Sequence, residues 1–138
     1  MSKVRIGLIG AGNIANTHMI SYGSVPNAEV VAICDFNEKR LKNGLEKLGG
    51  NIPSFDNFDD FIEHDMDAVV LANYAHQHAP FAIRAMKKGL HVFSEVLPVQ
   101  TMKEAVELCE AVEETGMIYA YGENYCYMEG PYEMRRLY

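Results

Sequence analysis

The chain has 138 residues, 12 basic and 19 acidic side chains and a formal net charge of −7, which excludes the basic field that gathers a nucleic-acid backbone. No apolar run approaches the ~18 residues of a membrane span, and MSKVRIGLIGAG runs into a glycine loop too soon for a secretory leader. Cys34, Cys109 and Cys126 stand far apart with no Cys-x-x-Cys pair, so free thiols in a reducing, cytoplasmic setting are expected.

Val4 to Ile9 is a β-rich run that stops at Gly10, and Ile14, His18, Met19 and Tyr22 follow at helical spacing. Pro26-Asn27 breaks the chain, Glu29 to Cys34 reads as a second strand, and Asn37 caps a helix with Leu41, Leu45 and Leu48 on one face before Gly49-Gly50. A weak strand through Pro53-Ser54-Phe55 precedes a short helix capped by Asn57, with Phe58, Phe61 and Ile62 as its apolar stripe. Ala68 to Ala72 is a clear strand. Pro80 suits the first turn of a helix that carries Phe81, Ile83, Ala85 and Met86 and ends at Gly89. Leu90 to Phe93 is the next strand. Thr101 and Glu104 form a capping box for a helix with Ala105, Leu108 and Val112 on its buried face, and Met117 to Tyr121 is the last strand.

Near-continuous apolar strands alternating with helices predict an α/β fold, a doubly wound parallel sheet of about six strands with helices on both faces. The predicted domain is 1–121. Residues 122–138, GENYCYMEGPYEMRRLY, are rich in Tyr and start a further helix, so they are expected to open a second unit that a longer protein would complete.

Gly10-Ala11-Gly12-Asn13-Ile14-Ala15 is G-x-G-x-x-A between strand and helix. Its first glycine permits a tight turn, its second admits a pyrophosphate close to the backbone, and the helix N-terminus offers free N–H groups. Asp35 ends the second strand about where a ribose-binding acid belongs. Its carboxylate accepts the adenine-ribose hydroxyls and repels a 2′-phosphate, so NAD is favoured; Lys39 and Arg40 close behind leave NADP open.

His76-Gln77-His78 invites a zinc reading, but no third and fourth ligand is evident. A loop at the ligand crevice is the preferred account, with no metal. His18 belongs to the first helix, His64 is expected to be exposed, and His91 packed at a strand start. In SEVLPVQ, Glu95 ends the fifth strand as a lone carboxylate with no titratable neighbour in sequence.

With IGLIGAGNIA, CDFN, VVLANYAHQH, KKGLHVFSEVLP and YGENY together, nearly the whole chain resembles the N-terminal domain of the glucose–fructose oxidoreductase, inositol dehydrogenase and rhizopine-catabolism (Gfo/Idh/MocA) family. The resemblance implies a cofactor domain for oxidation or reduction of sugars, cyclitols and related alcohols or carbonyls, with substrate brought by a C-terminal domain. It carries Gly10, Gly12, Asn13 and Ile14 onto the pyrophosphate loop and Asp35 onto the ribose acid. Ala72 and Asn73 fall at the end of the fourth strand, where Asn73-Tyr74-Ala75 replaces the family's usual Thr-Pro-Asn while His78 matches its histidine. Glu95 matches the first residue of the family's Glu-Lys-Pro, but Val96 stands at the lysine beside nicotinamide. Asn124 resembles the Asn after the sixth strand, where Cys126 replaces a frequent arginine. No catalytic proton carrier is assigned, and these residues alone are expected to bind NAD with little turnover. Two other readings stand beside this one: a non-catalytic dinucleotide-binding sensor or assembly module, and a site for another adenosine ligand such as S-adenosylmethionine. Homo-oligomers are compatible with the resemblance.

Overall fold

A computed structural model describes residues 2–138. Six strands form one parallel sheet: β1 (Val4–Ile9), β2 (Ala28–Cys34), β3 (Ser54–Phe55), β4 (Ala68–Leu71), β5 (His91–Ser94) and β6 (Tyr119–Tyr121). Their order is β3-β2-β1-β4-β5-β6. The chain thus runs outward from β1 to one edge, then restarts beside β1, and the crevice at that switch is where open α/β sheets bind ligands.

The helices fall on opposite faces because the strands are apolar on both. Helices α1 (Asn13–Gly23) and α2 (Glu38–Lys47) cover one side, where Ala15, Met19 and the leucines 41, 45 and 48 pack with Ile6, Leu8, Ile33 and Val70. Helices α3 (Phe58–Phe61), α4 (His78–Lys87) and α5 (Met102–Thr115) cover the other, where Phe61, Met86 and Leu108 pack with Ile9, Val69, Leu71 and Val92. Asn37 and Asn57 accept from the amides of Arg40 and Asp60, as N-caps do. The Thr101 capping box is complete, since Glu104 also accepts from the Thr101 amide. Thr101→Ala is therefore expected to lower stability by about 1 kcal/mol, read as a fall in the chemical-denaturation midpoint.

Several boundaries differ from expectation for local reasons. Leu90 precedes β5 because its amide closes the helix turn onto the Ala85 carbonyl, and Ser94 completes the strand instead. Met117 and Ile118 precede β6, where the Ile118 amide donates to His91 Nδ1. On α5 the fully buried positions are Leu108 and Ala111, with Ala105 and Val112 half-buried at the flanks. His64 is not exposed: the turn after α3 lays its ring 5.8 Å from Phe55. Past β6, a short 3-10 turn and α6 (Glu129–Leu137) keep Tyr125, Tyr127 and Tyr132 exposed.

Candidate functional site

The turn after β1 is built around two different glycines. Gly10 has φ +92°, and a Cβ there would fall 2.6 Å from the Ala72 carbonyl oxygen, so this position is closed to other residues by backbone on both counts. Gly12 is ordinary in conformation, and a Cβ there would meet nothing within 4 Å. What it would do is project into the space in front of α1. Gly12 caps α1 without any side-chain bond, the first turn holds no acid, and the first helical bond runs from the Asn16 amide to the Gly12 carbonyl. The amides of Asn13, Ile14 and Ala15 are left to a ligand at the positive end of the helix dipole. Ile14 is 53% exposed, so its side chain lies outside the core while its amide belongs to the unbonded first turn of α1.

Asp35 is only 6% exposed. One carboxylate oxygen accepts from the Ala11 amide and the other from the Asn37 amide, each at 2.8 Å. The acid thereby staples the glycine loop to the start of α2, and each oxygen still has a lone-pair direction for a ligand hydroxyl. Beside it lies a cavity of about 300 Å³ lined by Gly10, Gly12, Asp35, Phe36, Arg40 and Asn73 among others. The rings of Phe36 and Tyr74 stand 5.9 Å apart and both line this cavity. Neither Phe36 nor Tyr74 belongs to the glycine-loop motif; the one sequence signal for this pair is an aromatic directly after the strand-ending acid.

Cys34 borders the same cavity, yet burial first, then the charges of Asp35 and Asp56, push its thiol from 9 up to about 12. It should resist alkylation at pH 8 while exposed Cys109 and Cys126 react, and mass mapping of the labelled sites reads this. A thiol held protonated stabilises the fold below pH 9, and that contribution is lost as pH rises toward 12.

The loop after β4 lines the same cavity, whereas the loop after β5 lies outside its lining. Asn73 donates from Nδ2 to Gln77 Oε1 at 3.1 Å, while its Oδ1 is buried with no partner among the described residues. A buried orphan acceptor at a cavity wall suits a donor on a ligand. Ala72, just past β4, contributes backbone, and its amide bonds the Ile9 carbonyl at 2.8 Å. His78 is 1% exposed and is not among the side chains lining the cavity. Its Nδ1 meets the Leu97 carbonyl at 2.8 Å and its Nε2 the Asn73 carbonyl at 3.3 Å, so it ties the two loops together. Asn124 is exposed beyond β6 at the start of the 3-10 turn, away from the cavity lining.

Glu95 has no titratable neighbour in sequence, but the fold brings one to it. Its Oε1 lies 2.8 Å from Nε2 of His18, whose side chain is 14% exposed against 22% for Glu95. The signal for His18 in the sequence was faint: a polar residue on the apolar stripe of α1. Burial, and secondarily the Glu95 charge, push the Tyr22 phenol above its usual range, so this carboxylate is felt well inside the α1 face. No group of three or more His, Cys, Asp or Glu side chains is arranged to hold a metal among the described residues. No helix there is long and apolar enough to cross a membrane.

Residues 4–123 match the model of the oxidoreductase family GFO_IDH_MocA, described as an NAD-binding Rossmann fold. Glucose-6-phosphate 3-dehydrogenase of Bacillus subtilis is 30% identical over 124 residues, which cover 90% of this chain and 35% of that protein. Glycosyl hydrolase family 109 protein 2 of Shewanella sp. (strain ANA-3) is 30% identical over 136 residues, covering 92% and 30%. Among solved structures, the WlbA dehydrogenase from Bordetella pertussis in complex with NADH and UDP-GlcNAcA superposes with a TM-score of 0.80 at 28% identity, covering 86% and 35%. The chain spans about a third of the length of these relatives.

Proposed function

Because the chain belongs to the oxidoreductase family GFO_IDH_MocA, as its NAD-binding Rossmann-fold domain, we propose that its crevice holds NAD for hydride exchange with a sugar, cyclitol or related alcohol or carbonyl. The observation that carries this reading is the open direction at Gly12 in front of three unpartnered α1 amides. A pyrophosphate fills that space and takes those donors. Asp35 receives the adenine-ribose hydroxyls, and with Asp56 beside it at the cavity wall the local charge favours NAD over NADP. The orphaned Asn73 Oδ1 offers an acceptor to the nicotinamide half. In this reading the glycine loop, Asp35 and Asn73 supply donors and acceptors for the pyrophosphate, the ribose and the nicotinamide half in turn.

When bound, NAD supplies the hydride acceptor at nicotinamide C4. The residues of this chain fix its two phosphates and adenine ribose, which removes the orientational freedom that a productive approach of substrate would otherwise have to restrict. Oxidising an alcohol also requires a group to take its proton. Val96, 43% exposed, stands where the family offers a lysine and cannot take that proton. In this proposal the proton acceptor and the substrate pocket belong to a further domain of the whole protein. The names of the relatives, a sugar-phosphate dehydrogenase, a glycosyl hydrolase and a nucleotide-sugar complex, support a carbohydrate as the substrate class. Val96 also favours a second reading, a dinucleotide-binding module without catalysis.

Titration followed by NADH fluorescence is the direct experiment. These 138 residues should bind one NADH per chain and show no measurable oxidation of polyols with NAD. Failure to bind contradicts the cofactor reading, whereas strong turnover contradicts the division of labour.

A further inference from the structure

His18 is an odd residue for its place. It lies on the stripe of α1 that carries Ala15, Met19 and Tyr22 toward the sheet, it is mostly covered, and its ring stacks on Tyr22 at 5.8 Å and meets the edge of Phe93 at 5.5 Å. An apolar ring would serve that packing without the cost of covering a polar group. Its one hydrogen bond among the described residues runs to Glu95, 77 positions later. The bond reaches from α1 to the carboxyl end of β5.

The position of Glu95 gives the bond a meaning. From β2, where Asp35 sits, the sheet order passes β1 and β4 to β5, three strand intervals or about 14 Å at the usual spacing. That lateral span suits the distance between the two halves of an extended dinucleotide whose phosphates lie between, at the Gly12 turn over β1. By strand order Glu95 stands across the switch from Asp35, beyond the residues that line the cavity beside that acid. Its Oε1 is taken by His18, and its Oε2 has no protein partner among the described residues.

We infer that His18 is a positioning residue for the nicotinamide half of the cofactor, acting through Glu95. The imidazole holds one carboxylate oxygen so that the other faces the ribose hydroxyls attached to nicotinamide. The inference rests on the proposed dinucleotide function and assigns to it a specific pair, one member from each side of the switch in strand order.

Three proteins and two ligands test it. NADH and ADP are titrated calorimetrically against the parent chain, His18→Phe and His18→Gln, with thermal unfolding of each. ADP carries the adenine half and the diphosphate but no nicotinamide ribose. His18→Phe keeps a ring against Tyr22 and Phe93, and should weaken NADH roughly tenfold while leaving ADP within about twofold. His18→Gln, which retains a side-chain N–H donor, should recover most of the NADH affinity. Equal weakening of NADH and ADP by His18→Phe, or no weakening of either, overturns the inference while leaving the cofactor reading intact. If the parent chain binds neither ligand, the cofactor reading itself fails and the inference with it. Should His18→Phe not fold, Glu95→Gln takes its place with the same expected split between NADH and ADP, and the same equal or absent effect overturns it.

Discussion

Gly12→Val is expected to fold like the parent, within about 1 kcal/mol, and to bind NADH about 100-fold more weakly, a loss of about 2.7 kcal/mol. The separation follows from what surrounds the new side chain. The Gly12 backbone, at φ −79° and ψ −165°, is extended and open to valine, and among the described residues no atom beyond its two chain neighbours lies within 4 Å of the added Cβ. The space is free in the protein and needed by the ligand. Its neighbour two positions earlier behaves in the opposite way: Gly10→Ala must place a Cβ 2.6 Å from a backbone oxygen at a positive φ, and should lose about 1–3 kcal/mol of stability first. Denaturant unfolding and NADH titration of the two variants together distinguish a phosphate space from a tight turn. Normal NADH binding by a folded Gly12→Val would remove the pyrophosphate from this loop.

Asp35→Ser should show a split between cofactors instead of between folding and binding. Losing the carboxylate removes the acceptor for two adenine-ribose hydroxyls, so NADH is expected to weaken roughly 30-fold, consistent with about 2 kcal/mol for charge-assisted bonds. NADPH should change much less, because the same substitution relieves the repulsion of its 2′-phosphate and leaves Arg40 at the cavity wall. The structure adds a cost that the motif alone does not contain. Serine reaches the nearby Asn37 amide but leaves the Ala11 amide without the oxygen it now meets at 2.8 Å, so a stability loss of about 1–3 kcal/mol accompanies the change. Asp35→Asn, which keeps an acceptor oxygen, separates the charge from the staple. Equal weakening of NADH and NADPH by either variant places the acid away from the ribose.

Much of this arrangement was legible in the chain because its determinants are local. The alternation of strands and helices, the Asn37, Asn57 and Thr101 caps and the glycine turn each depend on residues within a few positions, and the parallel order follows from connections of that kind. Asp35 was legible for the same reason, as the acid ending the strand after the glycine turn. The dual staple it forms was not, since the Ala11 amide lies 24 positions away. Glu95 looked isolated because its partner is 77 positions earlier and reaches it only after α1 and β5 are laid on one sheet. His78 resembled a ligand-facing loop residue, but its contacts with the Leu97 and Asn73 carbonyls depend on how two loops meet. The starts of β5 and β6 shifted because the Ala85 carbonyl and the His91 ring took the Leu90 and Ile118 amides.

In this proposal a dinucleotide lies along the carboxyl ends of the strands from Asp35 toward Glu95, with its phosphates at Gly12. Amide chemical-shift mapping of the isotope-labelled chain during an NADH titration tests it most directly. Saturable shifts are expected at Gly12, Asn13, Ile14, Asp35, Asn73 and Glu95, with ADP reproducing the shifts through Asp35 but not those at Glu95. Shifts confined to the groove at the opposite ends of the strands, around Lys3, Tyr22 and Lys47, or no saturable shifts at all, would contradict it.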